Sequence, residues 1–425
     1  TILTHYVLIT DLSSLLFKQI KTNSKLYYCR RCLQHFRAQE KLDDHVKSCK
    51  KIGAQKTIFP DAKNKFIRFK NFKNKIPAPF VVYADFEAIN DKNPTEDSKP
   101  TEKLTNHRVC SYAYKLVCIT DDKFSKPVKL YRGENAAYKF IEDMLLEETY
   151  CTEIIKTHFN KTIIMTEQDK IDFANAKCCH ICNVKYKLKV KEEIVKDHDY
   201  YTSKYKGSAH KTCLSKFYYE KSLNVFFHNL KGYDSHFLIQ EIGKFNKKIG
   251  IIPNNIEKFL SFSIGNIKFK DSYQFLNASL DSLTKNLVEK EIAENNPDVF
   301  KHLSSEFSGD ELQLMKRKGV FPYDYLDSFN RFNETSLPNK EMFYNRLYNS
   351  NITQEEYDHV INVWNKFNMK TFGDYHDIYL KTDVLLLTDI FENFRKMCMC
   401  YYKLDPVHYY GTPGIAWDAC LKMSG

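Results

Sequence analysis

An α/β fold, a mixed sheet flanked by helices with two small metal-held modules attached, is what this sequence predicts. Three observations predict it: apolar strand-like runs that end in acids, a long amphipathic helix pattern, and two Cys/His clusters with metal-ligand spacing. The first run is PFVVYADFEAIN, residues 79–90, in which Val81, Val82 and Tyr83 read as a buried strand. It ends in Asp85-Phe86-Glu87, with two acids on one strand face and Phe86 on the opposite, core-facing side. The second, NVFFHNLKGYDSHFLIQEI (224–242), passes from an apolar run through Asn229, Tyr233 and Asp234 into helical periodicity at Phe237, Leu238 and Ile242. FSIGNIKFKDSYQFLNASLDSL (262–283) predicts a hairpin that turns at Gly265-Asn266 and feeds a helix. YHDIYLKTDVLLLTDIFENFRKMC (375–398) predicts a long amphipathic helix with Tyr379 and Asp383 on one face, at i and i+4.

With 425 residues the chain is long enough for two or three domains, and 43% apolar with 28% charged residues fits a globular protein. No apolar run approaches 18 residues and no signal peptide precedes Thr1, so the expectation is an intracellular protein that neither is secreted nor spans a membrane. The missing initiator Met predicts an excerpt or a processed product. A net charge of +11 favours a polyanionic partner. KNKFIRFKNFKNK (63–75) interleaves aromatics with base, a pattern that suits nucleic acid; charge alone fits a solvated basic surface equally well. Thirteen cysteines without an export signal predict thiols and metal sites rather than disulfides.

The first cluster reads Cys29-x2-Cys32-x12-His45-x3-Cys49, with Phe36 and Leu42 inside it as a small core. Thiolate and imidazole suit tetrahedral zinc, and a fold this small needs the metal to exist. It resembles the two-Cys/two-His ββα zinc fingers with a terminal Cys in place of His. The helix AQEKLDDHV is acidic where base-reading side chains would sit, so a structural or docking role is expected. The second cluster reads Cys179-x2-Cys182-x27-His210-x2-Cys213, with Asp197-His198-Asp199 between the knuckles. It resembles the treble-clef nucleases of the endonuclease VII/HNH type. Two departures matter: Tyr200 stands where that family has the last His of its DHDH element, and Leu214 where it has Asn. The preferred reading is therefore a zinc-stapled insertion rather than an active second nuclease.

Each acid taken singly reads as a turn or cap residue. In order, D-x-E at Asp85 and Glu87, N-x3-[FY]-D at Asn229, Tyr233 and Asp234, and Y-x3-D at Tyr379 and Asp383 resemble the three-part signature of the proofreading 3′–5′ exonuclease of family B DNA polymerases. Two-metal phosphodiester hydrolysis needs such converging carboxylates, which otherwise repel by about 4 kcal/mol per pair at ~4 Å and intermediate dielectric. The resemblance implies a ribonuclease-H-like fold and two Mg²⁺ or Mn²⁺ ions held by Asp85, Glu87, Asp234 and Asp383. It also implies that Tyr379 orients the attacking water and that Asn229 and Tyr233 line the single strand. Ser279-Leu280 is similar to the single-strand contact element of protein-primed polymerases, with Asp271-Ser272 as a competing alignment. Lys318-x2-Phe321 is similar to the family's Lys-containing element, a basic loop being the even alternative.

The whole chain resembles the N-terminal portion of the protein-primed family B polymerases of the Polinton/Maverick type. PGIAWDACLK (413–422) matches the lead into the polymerase domain, whose palm motifs do not occur in this sequence. The implied organisation is an N-terminal segment (1–26), a zinc finger (27–50), a basic linker (51–76) and exonuclease parts at 77–164 and 221–400. A treble-clef insertion (165–220) separates those parts, and 401–425 begins the connection to the polymerase. Implied partners are DNA, as a single-stranded 3′ end or a primer-template, and a terminal protein primer, at a host nuclear or viral/mobile-element replication site. The alternatives are a catalytically silent zinc-containing nucleic-acid-binding module from a decaying mobile element, and a nuclease site within the insertion itself.

Overall fold

The computed structural model describes residues 8–20, 24–51, 61, 65–91, 106–159, 162–186, 194–216, 221–255, 258–346 and 349–424. Much of the expected N-terminal segment and of the Lys-rich linker lies outside the described residues. The chain forms two units, Thr1–Ile67 and Arg68–Gly425.

In the first unit, helix α1 (Leu12–Ile20) opens at Asp11, whose carboxylate accepts the Ser13 N–H at 2.9 Å. Strands β1 (Tyr27–Tyr28) and β2 (His35–Phe36) pair antiparallel and precede helix α2 (Gln39–Cys49). This is the expected ββα order. Few apolar side chains are buried here, Leu26 and Tyr28 among them, and so small a core needs a further tie.

The second unit is built on one seven-stranded sheet of order β5-β4-β3-β8-β11-β10-β9. Strands β3 (Phe80–Asp91), β4 (Asn106–Cys118) and β5 (Lys129–Arg132) form an antiparallel meander, followed by helix α3 (Ala136–Ile154). Helix α4 (Glu167–Asn175), the hairpin β6 (Ile194–His198)–β7 (Tyr205–His210) and the short α5 (Lys211–Leu214) then stand apart from that sheet. The chain returns through β8 (Leu223–Phe227), parallel to β3, and α6 (Ser235–Ile242). Next come β9 (Ile249–Pro253), β10 (Phe259–Ile264) and β11 (Ile267–Asp271), with β11 parallel to β8. The β10–β11 hairpin turns at Gly265, whose φ of +57° suits glycine, and leads to α7 (Leu280–Glu294), as expected. Helices α8 (Lys301–Ser304), α9 (Gly309–Met315) and α10 (Gln354–Lys366) precede the long α11 (Phe372–Tyr401) and α12 (Thr412–Met423). Among the described residues no helix is long and apolar enough to cross a membrane.

Helices cover both faces of the sheet, so its central strands read as continuous apolar runs. Alternation sorts them into two cores. Val81 and Tyr83 of β3 and Phe226 of β8 pack with Phe391 of α11, whereas Val82, Ala84, Phe86 and Phe227 pack with Phe140 of α3 and Leu238 of α6. Each such fully buried side chain contributes roughly 1.5–3 kcal/mol. A buried ionic network clamps α11 to the start of β3. Arg395 bonds Asp405 at 2.8 Å, Glu392 at 2.7 Å and the Ala78 carbonyl at 2.9 Å, and the Tyr83 hydroxyl donates to Glu392 at 2.6 Å. The expected core role of Phe86 holds: its ring meets Phe140 edge-on at 5.0 Å.

Candidate functional site

Strands β3, β8 and β11 run parallel, and their C-terminal ends form one rim, where open α/β sheets bind ligands. β8 last pairs with β3 at Phe226↔Tyr83, so β3 continues past it carrying Asp85 and Glu87. Both acids fall on the Val81/Tyr83 face, toward α11, and a register shift follows directly at Glu87/Ala88. Beyond β8, the HNLKGYD turn reverses the chain. Asn229 adopts a left-handed φ of +70°, and its side chain fills the space of a Gly232 Cβ, whose nearest atom would be Asn229 Oδ1 at 2.5 Å. That contact is why the turn needs glycine. Asp234 then stands just before α6, almost wholly buried. At the end of β11, Asp271 holds the turn by accepting the Asn229 N–H at 2.9 Å and the Lys231 N–H at 3.2 Å.

From α11, Tyr379 and Asp383 present one buried face to this rim. Lys318, a quarter exposed, places its ammonium on Asp383 Oδ2 and donates to the Tyr379 hydroxyl at 3.1 Å. The Tyr323 hydroxyl lies 2.7 Å from that of Tyr379, and the Tyr323 carbonyl accepts from Asn90 at 2.8 Å. Lys318 thus reaches from its loop to a buried carboxylate.

The acids act on one another. Burial, then Asp383, pushes the Asp85 carboxyl up to about 7. Burial, then Asp85 and Asp383, holds Glu87 well above the usual carboxylate range. Burial and Asp85 do the same to Asp234. Lys318 is held above the usual lysine range by Asp383, against the burial that opposes it. Asp234 Oδ1 and Asp383 Oδ1 are buried with no hydrogen-bond partner among the described residues. Such oxygens fit a divalent cation, which takes oxygen ligands. The four acids are nevertheless not drawn into one tight cluster, a state reached among the described residues only by the two Cys/His groups.

Those groups are Cys29, Cys32, His45, Cys49 and Cys179, Cys182, His210, Cys213, with ligand atoms all within 4.8 Å of one another in each. Both could hold a metal ion. In the first, Cys32 Sγ lies 3.2 Å from His45 Nε2, and the N–H groups of Cys32 and Arg31 pull the Cys29 thiol down to about 6. In the second, burial raises the Cys179 thiol but the N–H groups of His210, Cys182 and Ile181 outweigh it, leaving about 7.

The remaining expected contacts fare unevenly. Tyr233 hydrogen-bonds His107 at 2.7 Å beside the rim. Ser279 caps α7 by accepting the Ser282 N–H at 3.2 Å, and Leu280 is buried. Of the competing alignments, Asp271-Ser272 lies at the rim: the Ser272 hydroxyl bonds His228 at 2.9 Å. Sequence reasoning did not single out Tyr323 or His228; the only signal for either was adjacency, Tyr323 to the Lys318-x2-Phe321 element and His228 to Asn229.

Acids and a lysine gathered where parallel strands end, with buried carboxylate oxygens that have no hydrogen-bond partner among the described residues, could hold a divalent cation. The family comparison gives one match: residues 213–417 match the model of DNA polymerase type B, organellar and viral. Among solved structures the chain is similar to "Phi29 DNA polymerase complexed with primer-template DNA (post-translocation binary complex)", at 11% identity and a TM-score of 0.30. The similarity covers 77% of this chain and 33% of that one, so the chain spans about a third of its length. A search of curated proteins gives no match.

Proposed function

We propose that the chain is the 3′–5′ exonuclease, or proofreading, region of a protein-primed family B DNA-directed DNA polymerase, with the ribonuclease-H-like fold. One observation carries this reading: burial and neighbouring acids raise the proton affinity of Asp85, Glu87 and Asp234 at a single strand rim, Asp383 acting on the first two, with buried oxygens of Asp234 and Asp383 unpartnered among the described residues. Two Mg²⁺ or Mn²⁺ ions held by these four residues would supply the activation of water and the neutralisation of phosphate charge. Tyr379, kept as a phenol by burial and by Asp383, orients the attacking water. Lys318 brings a further positive charge to the rim. Water oxygen bonds to phosphorus, the P–O3′ bond breaks, and the departing 3′ oxygen takes a proton, releasing one nucleoside monophosphate. Asn229 and Tyr233 line the single-stranded 3′ end.

The exonuclease occupies 77–164 and 221–400, and 401–425 begins the connection to the polymerase. Zinc at each Cys/His group serves structure: a finger at 27–50, between the segment 1–26 and the basic linker 51–76, and a treble-clef insertion at 165–220. Primer-template DNA and a terminal protein are the partners, at a replication site. A nuclease centred on the insertion is disfavoured because Asp197 is already bonded to His180 Nε2 at 2.8 Å. The test is digestion of a 5′-labelled single strand with Mn²⁺. Asp85→Ala and Asp383→Ala should each abolish it while circular dichroism stays native; normal digestion by either variant ends this reading.

A further inference from the structure

A buried histidine lies on the same stripe of α11 as the residues that face the rim. His376, Tyr379 and Asp383 stand at i, i+3 and i+7, and all three are buried. The exonuclease reading uses the second and third and leaves His376 without a task. Its ring has two partners: Nδ1 lies 2.9 Å from Asp377 Oδ1, and Nε2 lies 2.9 Å from the hydroxyl of Ser111 on β4. Burial, the larger cause, keeps this imidazole below the usual histidine range, against the pull of Asp377. A neutral ring beside a carboxylate carries its hydrogen on Nδ1, so Nε2 accepts from Ser111.

Ser111 is paired with Glu87 across β3 and β4, so the two side chains share the sheet face that α11 covers. The register shifts at this point: β4 carries one extra residue, Cys110, whose thiol donates to the Glu87 carbonyl at 3.3 Å. Such bulges re-aim a side chain beside a site. His376 thus ties α11 to the strand position opposite Glu87, while Tyr379 and Asp383 follow on the same stripe. The ring is held edge-on by Phe332 at 4.9 Å and Phe321 at 5.7 Å, and Phe321 also stacks on Tyr379 at 4.8 Å. Carboxylate, imidazole and hydroxyl in this order are the parts of a nucleophilic triad. Ser111 and His376 are fully buried, however, so no substrate reaches the hydroxyl.

We propose that His376 is a positioning residue for the carboxylate rim: through Ser111 it fixes the distance between Glu87 on β3 and the Tyr379/Asp383 face of α11. Asp377 sets the tautomer that this bond requires. The inference deepens the exonuclease reading and rests on the rim holding a divalent cation.

The test is calorimetric titration of Mn²⁺ into the zinc-loaded full chain, scoring the binding that Asp85→Ala removes, beside digestion of a 5′-labelled single strand. His376→Leu keeps the apolar bulk but removes both bonds and leaves the Ser111 hydroxyl without its acceptor. It should weaken Mn²⁺ binding about tenfold. It should also lower kcat about tenfold or more, with KM little altered. His376→Gln, whose amide oxygen can still accept from Ser111, should restore most of both. The double variant His376→Leu/Ser111→Ala removes the stranded hydroxyl and should regain stability to urea without regaining Mn²⁺ affinity or kcat. A histidine that only fills the core predicts that all three recover together. Mn²⁺ affinity in the double variant equal to that of the unaltered protein overturns the proposal. So does the absence of any Mn²⁺ binding sensitive to Asp85→Ala. Mn²⁺ binding weakened as expected, in a chain that does not digest the strand, would end the exonuclease reading and leave the positioning role standing.

Discussion

The Lys318 ammonium sits on Asp383 Oδ2, while the other oxygen of that buried carboxylate, Oδ1, has no hydrogen-bond partner among the described residues. A lysine thus neutralises one half of an acid that also acts on Asp85 and Glu87 of β3. Lys318→Ala should destabilise the protein without divalent cation by about 3 kcal/mol, the lower end for breaking a buried pair. Added Mn²⁺ should recover much of that loss and bind more tightly than in the unaltered protein, because the rim has lost a positive charge. Urea unfolding with and without Mn²⁺ measures both; no change in stability would show that the ammonium does not compensate Asp383.

The Asp85 carboxyl, at about 7, lies above its unfolded value. Between about pH 4 and 7 the folded state therefore holds a proton that the unfolded chain has released, and stability falls as pH rises through that window. Cation binding, which needs the carboxylate, should gain strength over the same range. Mn²⁺ should raise the melting temperature more at about pH 8 than at about pH 5.5, and Asp85→Asn should flatten that difference. A pH-independent Mn²⁺ shift would contradict it.

Arg395 holds the two elements that carry the acids in register. Its guanidinium bonds Asp405, Glu392 and the Ala78 carbonyl, and the Ala78 N–H donates to Asp405 at 2.8 Å. Arg395→Met leaves two buried acids uncompensated and should destabilise by about 3–5 kcal/mol. Because α11 bears Asp383 and β3 bears Asp85, Mn²⁺ affinity should fall too, although Arg395 touches neither. Calorimetric titration in the surviving folded fraction separates that effect from simple unfolding.

The two Cys/His groups should answer to chelation separately. Cys29→Ser should abolish one equivalent of bound zinc and unfold residues 27–49, since so small a core relies on the metal. Cys179→Ser should remove the other equivalent and loosen the β6–β7 hairpin. The seven-stranded sheet, whose cores contain neither group, should keep its amide-exchange protection in both. Zinc content with hydrogen exchange reads this directly.

What the sequence made legible was local. Alternation along β3 places Val81, Tyr83, Asp85 and Glu87 on one face, and an i, i+4 spacing places Tyr379 with Asp383; both follow from element geometry alone. The contacts of Lys318 and Tyr323 were harder because their partners on α11 lie some sixty residues further along the chain, and no periodicity reports such a contact. Arg395 lies inside a helix that was predicted, yet a buried arginine and an exposed one look alike in sequence. Ser279 shows the converse: a residue matched to a family element spends its hydroxyl on a helix cap, a role any serine at that position performs.

Gly319 stands against the face of Tyr379: a Cβ there would come within 2.8 Å of Tyr379 Cδ2. The ring has little room to yield. It stacks on Phe321 at a centroid distance of 4.8 Å, and its hydroxyl is tied to Tyr323 and Lys318. Gly319→Ala should therefore displace the phenol rather than merely crowd it, at about 1–3 kcal/mol of stability. If Tyr379 orients water, single-strand digestion by Gly319→Ala should slow at least tenfold in kcat with KM little altered. Tyr379→Phe, which keeps the ring and loses only the hydroxyl, should match that loss without the stability change. Wild-type kcat in Gly319→Ala would mean that the position of the ring does not govern the reaction.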